Sequence, residues 1–138
     1  MELRVGPGEI YTKIQDAVNA AANHDTVIVN NGTYSGTGNV NIQIKGKSIT
    51  VMSDNGPENC FIDCAHAADT CGFILIDASD NIYPCIIEGF TIQNGGKVIT
   101  TDGPRNVGGV FCKQSHVEIV NNIITHIMAP EHIAGIAS

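Results

Sequence analysis

This amino-acid sequence reads as an all-β chain of stacked coils opened by one short helix. Three features point there. Ile and Val together number 31 against 2 Leu. That bias favours strands, because β-branched side chains pack well on a pleated surface and lose entropy in helices. A strand block occurs twice and begins a third time. The first copy is Gly72-Phe73-Ile74-Leu75-Ile76 followed by Ile87-Glu88-Gly89-Phe90-Thr91-Ile92. The second is Gly109-Val110-Phe111-Cys112 followed by Ile119-Val120-Asn121-Asn122-Ile123-Ile124, and Ala134-Gly135-Ile136 opens a third. Repeats of this size indicate stacked units rather than a closed globule. Finally, the two copies align Gly89 with Asn121. Gly and Asn are the residues that most readily take φ > 0, so the shared position predicts a left-handed corner between strands. A hairpin meander would not need that corner at the same phase in each copy, so the coils are read as parallel.

The elements follow in order. Thr12-Lys13-Ile14-Gln15 has the form of a capping box, with Thr12 at the N-cap and Gln15 reaching back. Ile14, Ala17, Val18 and Ala21 continue at helical spacing, and Asn23, His24 and Asp25 end the run. The prediction is a helix over about 13–22, within a cap region of about 12–23. Before the first strand, such a helix would cover both the apolar core and a strand edge. Strand-like runs then fall at 26–29, 40–44, 48–52, 60–63, 72–76, 85–88, 90–93, 109–112, 117–120 and 123–126. Asn31-Gly32, Asp54-Asn55-Gly56-Pro57, Asn94-Gly95-Gly96 and Asp102-Gly103-Pro104 are the turn-formers between them. The spacing between copies varies while the blocks persist, so extra residues must leave the stack as loops.

At 138 residues the chain is one domain, 1–138, with coils over about 25–138. Its net charge is −7 with 7 Lys+Arg, and no basic stripe exists, which excludes nucleic acid as an expected partner. The same charge disfavours an anionic membrane surface, and no apolar run reaches membrane-spanning length. A polyanionic polysaccharide would be repelled unless a cation or a local basic pocket intervened. Met1-Glu2-Leu3-Arg4 does not read as a signal peptide. Five Cys is an odd count, so at least one thiol is unpaired within the chain.

Four of the ligand-type residues cluster. Cys60, Cys64, His66 and Cys71 are the right number for zinc, at a spacing unlike a standard finger or ribbon. A Cys64–Cys71 disulfide is the alternative in an exported protein. Cys60 and Cys64 also share strand parity with Ile62, which reads as inert thiols facing the core. Asp77, Asp80 and Glu88 form a candidate calcium-binding acidic patch, the alternative being solvated loop and outer-face residues. The other cofactor expectation is none. Asn31-Gly32-Thr33 matches a glycosylation sequon, for which the Asn-Gly turn is the simpler account.

The segments Thr12 to Asn23, Asp25-Thr26-Val27-Ile28-Val29, Asn31-Gly32-Thr33-Tyr34, Ile49-Thr50-Val51-Met52-Ser53, Asn55-Gly56-Pro57-Glu58-Asn59-Cys60-Phe61-Ile62-Asp63 and Ile87-Glu88-Gly89-Phe90-Thr91-Ile92 together resemble the opening of bacterial right-handed parallel β-helix proteins of the pectate-lyase and pectinesterase superfamily. The resemblance covers roughly residues 10–126. It implies a right-handed parallel β-helix of about three coils with a short N-terminal capping α-helix and an incomplete C-terminal coil. Its catalytic motifs are present only in pieces. Thr101-Asp102-Gly103 resembles part of the polygalacturonase motif, without the other acids that an inverting mechanism needs. Gly32-Thr33-Tyr34 resembles the first pectinesterase signature, and the later ones are absent. Pectate-lyase chemistry would need clustered Asp and an Arg base, and the chain holds two Arg, Arg4 and Arg105.

The expected role is a non-catalytic extracellular or cell-surface module for carbohydrate binding or self-assembly, using the flat outer faces and the loop at 95–106. The expected partners are a second copy, through the open C-terminal coil, and polysaccharide. The rival reading is a polysaccharide lyase or glycoside hydrolase, with Asp102, Arg105 and His116 as its catalytic candidates. A third is a piece of a longer solenoid without independent function. Thr12, Gly89 and Asn121 are the structural positions singled out.

Overall fold

The computed structural model describes residues 1–64, 73–78, 81–95, 98–100, 103–105, 109–113, 115–125 and 136–137. The strands are β1 (Glu2–Val5), β2 (Thr26–Val29), β3 (Gly32–Tyr34), β4 (Ile42–Lys45), β5 (Thr50–Ser53), β6 (Cys60–Asp63) and β7 (Ile74–Asp77). Then come β8 (Cys85–Glu88), β9 (Thr91–Gln93), β10 (Val98–Thr100), β11 (Gly103–Arg105), β12 (Val110–Cys112), β13 (Val117–Val120), β14 (Ile123–Thr125) and β15 (Ile136–Ala137). One helix, α1 (Ile14–Ala20), precedes β2.

Thirteen of these strands form three sheets, in the orders β1-β2-β5-β8-β13, β3-β6-β9-β14 and β4-β7-β12-β15, with every pairing in them parallel. The chain visits the first, second and third sheets in rotation. Each visit lays its strand beside the one left on the previous circuit. The circuits are β2-β3-β4, β5-β6-β7, β8-β9-β12 and β13-β14-β15, one more than the sequence count. The extra residues between β9 and β12 leave the stack as an antiparallel hairpin, β10–β11.

Register turns this rotation into columns of like side chains. Leu3, Val27, Val51, Ile87 and Ile119 stack on the inner side of the first sheet. Tyr34, Ile62, Ile92 and Ile124 do so in the second, and Ile42, Ile74 and Val110 in the third. Nearly all are buried. Burying one such side chain contributes about 1.5–3 kcal/mol, so the β-branched bias is the main source of stability. Phe73 and Phe90 fill the middle as a tilted pair with centroids 5.1 Å apart. A one-residue slip would turn every column outward, so the register is strongly determined.

The predicted corner is present. Gly89 has φ +83° and Asn121 has φ +52°, each between a first-sheet and a second-sheet strand. Asn122 braces the corner, accepting from the Phe90 N–H at 2.9 Å and donating to the Ile87 carbonyl at 2.8 Å.

The capping box is not. Lys13 occupies the N-cap of α1 and makes no side-chain cap bond, and Thr12 takes no part. The Ile14 N–H instead donates to Asn39 Oδ1 at 3.1 Å, and the Gln15 N–H to the Gly38 carbonyl at 2.8 Å. A loop more than twenty residues away supplies the acceptors, so a local hydroxyl is unnecessary. Gln15 does not reach back either. Its amide clasps the backbone of Gln43 from both sides, accepting at 2.9 Å and donating at 3.1 Å. Since β4 is the outer strand of the third sheet, Gln15 stands in for a missing neighbouring strand. With Ile14, Ala17 and Val18 buried, the helix covers core and edge together, as its position before β2 suggested.

The remaining differences are in short strands. β1, β3, β10, β11 and β15 were not read as strands; β3 was taken for a turn and β10–β11 for a loop with a turn at 102–104. β1 does alternate, with Leu3 and Val5 buried, but it is a lone four-residue run ahead of the helix, and β3 has three residues, too few for periodicity; parallel pairing with β2 and β6 makes each a strand.

Candidate functional site

Four connections meet at one corner, between the end of the third sheet and the start of the first. They are the α1–β2, β4–β5, β7–β8 and β12–β13 segments. Their side chains tie them together. The Ser48 N–H donates to Asn23 Oδ1 at 2.8 Å, and the His24 N–H donates to the Ser48 carbonyl at 2.8 Å. Ser48 Oγ donates to the Tyr83 carbonyl at 2.7 Å and accepts from Asn81 Nδ2 at 3.1 Å. Asn81 also donates to the carbonyls of Tyr83 and His116, and its Oδ1 accepts the His116 N–H at 2.7 Å. Ser48 is buried, and among the described residues no buried side-chain polar atom lacks a partner.

This lattice frames a pocket of about 300 Å³ lined by Asn23, His24, Ser48, Asn81, Ile82 and Tyr83, with Gly46 and Ala78. His24 sits in the left-handed region at φ +72°. It meets Tyr83 edge-on, centroids 4.9 Å apart at 78°. Tyr83 is 61% exposed and Ile82 is 86% exposed. Two large side chains held out in water beside fixed amides form an apolar platform with a polar rim. The pocket lining contains no carboxylate, lysine or arginine, and it offers hydrogen bonds, contact area and the His24 imidazole.

The sequence-predicted candidates fall elsewhere or beside it. His116 is exposed, and its backbone is held by Asn81 at the edge of this corner. Arg105 ends β11, and Asp102 lies outside the described residues. Asp77 lies on the outer side of the third sheet, in register with Lys45 of β4. Glu88 is on the outer side of the first sheet, between Met52 and Val120. The two are on different sheets, and Asp80 lies outside the described residues. Cys60 and Cys64 are both buried, while His66 and Cys71 lie outside the described residues. Burial pushes the Cys60 thiol up to about 12, which leaves it protonated and inert at neutral pH. Cys112 is pushed up to about 11, by burial first and then by nearby Cys85. Among the described residues no group of three or more His, Cys, Asp or Glu is placed to hold a metal ion.

Sequence reasoning missed Tyr83, Ile82, His24 and Asn81. The available signal was the dipeptide Ile82-Tyr83 before Pro84, large apolar residues in a stretch otherwise composed of turn-formers. What no pattern could show is that residues 23, 48, 81 and 116 share one corner. Comparison with known proteins finds no matching family model, no matching curated protein and no matching solved structure.

Proposed function

We propose that the chain is a right-handed parallel β-helix module that binds neutral carbohydrate at the Tyr83 corner without transforming it. The rotation of strands through three parallel sheets supports the architecture. One observation carries the binding role. An exposed tyrosine and isoleucine flank fixed Asn23 and Asn81 amides in a pocket lined by no carboxylate, lysine or arginine. A sugar ring presents an apolar C–H face and equatorial hydroxyls. The face lies on Tyr83, whose flat ring provides contact area at low entropy cost, and the hydroxyls meet the Asn23 amide, which Asn81 holds in place only indirectly through Ser48. Glycoside hydrolysis would need two carboxyl groups about 5–10 Å apart across the bond, and the lining residues supply none. The test is calorimetric titration with neutral oligosaccharides. Tyr83→Ala should remove saturable binding while the far-UV spectrum stays unchanged. Binding that survives Tyr83→Ala, or glycan cleavage by the parent protein, would refute the reading.

Self-assembly is a second reading, favoured by Val120 at 43% and Ile123 at 47% exposure. These sit on β13 and β14, each of which has one sheet neighbour among the described residues. Light scattering of the parent against Val120→Lys/Ile123→Lys separates a dimer through this edge from a monomer.

A further inference from the structure

A second cleft lies on the opposite side of the β4–β5 connection from the Tyr83 pocket. It measures about 330 Å³ and is lined by Gln15 and Asn19 of α1, Gln43 and Lys45 of β4, and Lys47. Its chemistry is the reverse of the chain's average. In a protein of net charge −7 with 14 Asp+Glu, the lining holds two ammonium groups and no carboxylate.

The two lysines play different parts. Lys47 Nζ donates to the carbonyls of Val18, Asn19 and Ala21, so its charge is fixed against the C-terminal end of α1, where the helix dipole favours a cation. Burial draws its ammonium below the ordinary lysine value, and the attraction of Asp25 only partly opposes this. Lys45 is exposed, and its register partner on β7 is Asp77. Among the described residues neither lysine forms an ion pair. The amides are also sorted. Gln15 is committed to Gln43's backbone, and its Nε2 donates to Asn19 Oδ1 at 3.0 Å. That bond turns Asn19 Oδ1 toward Gln15, and the N–H₂ group of the same amide is a donor. Asp16 of α1 is exposed and does not line the cleft.

We propose that this cleft binds an oxyanion, a carboxylate or phosphate group carried by a small molecule, between Lys45 and the amides of Asn19 and Gln43. The fixed Lys47 charge stands behind it. Charge-assisted bonds to oxyanions are stronger than neutral ones, and a local positive cleft attracts anions even on an acidic surface. The site is separate from the neutral-carbohydrate reading and does not depend on it.

The test is a two-dimensional amide NMR titration of the full chain with sodium phosphate and, separately, sodium citrate, each against sodium chloride at matched ionic strength. The expected result is saturable shifts at the Gln43 and Lys45 backbone amides and the Asn19 side-chain amide. The tighter of the two anions identifies the source chemistry. Lys45→Gln should weaken binding about two- to fivefold, the scale of one exposed charge pair, and Lys45→Glu should abolish it. Tyr83→Ala should leave it unchanged. Lys45 is exposed, and the same spectra report whether each variant is folded. Shifts reproduced by chloride, no saturation with either anion, or undiminished affinity in folded Lys45→Gln would each overturn the proposal.

Discussion

Replacing Gly89 by alanine places two separate costs on one atom. The backbone there has φ +83°, and a Cβ built on it would lie 2.4 Å from Ser53 Oγ. An L-residue in the left-handed region costs roughly 1–2 kcal/mol. The contact adds the cost of overpacking, about 1–3 kcal/mol. A central expectation of about 3 kcal/mol corresponds, for a chain of this length, to a fall in Tm of about 10 °C. Ser53→Ala separates the two costs. The Ser53 Cβ lies 3.5 Å from the new methyl, an ordinary contact, so only the backbone strain remains in the Ser53→Ala background. Ser53 Oγ also accepts the Gly56 N–H at 3.0 Å, so the single Ser53→Ala change has its own cost and a full double-mutant cycle is required. Thermal and urea unfolding of the four proteins give the coupling energy, expected at about 1–3 kcal/mol. A Tm for Gly89→Ala within about 1 °C of the parent refutes the corner argument. Zero coupling with Ser53 refutes the contact while leaving the backbone strain standing.

The helix start provides a paired comparison. Asn39→Ala removes the acceptor of the Ile14 N–H and should cost about 1 kcal/mol, whereas Thr12→Ala should cost less than about 0.5 kcal/mol, both read from urea unfolding. The opposite order would restore the local capping box. Asp25 carries a pH prediction. Its carboxyl is held below the usual 3.8, first by the bond from the Ala22 N–H and next by the terminal ammonium of Met1. A lowered folded value means the stabilisation is present above pH 3.8 and is lost as pH falls below it through the folded value. Asp25→Asn should therefore flatten the acid limb of the Tm-versus-pH curve below about pH 4. A curve with the parent's slope there would count against that assignment.

The all-strand character, several strand limits and the corner were legible along the chain. Residues 26–29, 60–63, 85–88 and 117–120 were read to the residue. Ile and Val at alternate positions leave little choice of conformation, and Gly or Asn at φ > 0 is a local preference that survives any packing. The inward parity of Cys60 was legible for the same reason, since strand alternation is a property of the chain itself. The capping of α1 was not legible. Thr12 satisfied a local rule, and Asn39 and Gly38 took the N-terminal N–H groups while Gln43 drew the Gln15 amide away, all from more than twenty residues along the chain. The corner pocket was hidden likewise. Its polar lattice joins Ser48 to Asn81 across 33 residues and Asn81 to His116 across 35. Circuits of unequal length bring those positions to one edge only after the sheets have stacked. Backbone preference acts within a few residues and can be read along the chain. The assembly of donors, acceptors and exposed rings into a binding surface is set by register between strands, and register is a tertiary property.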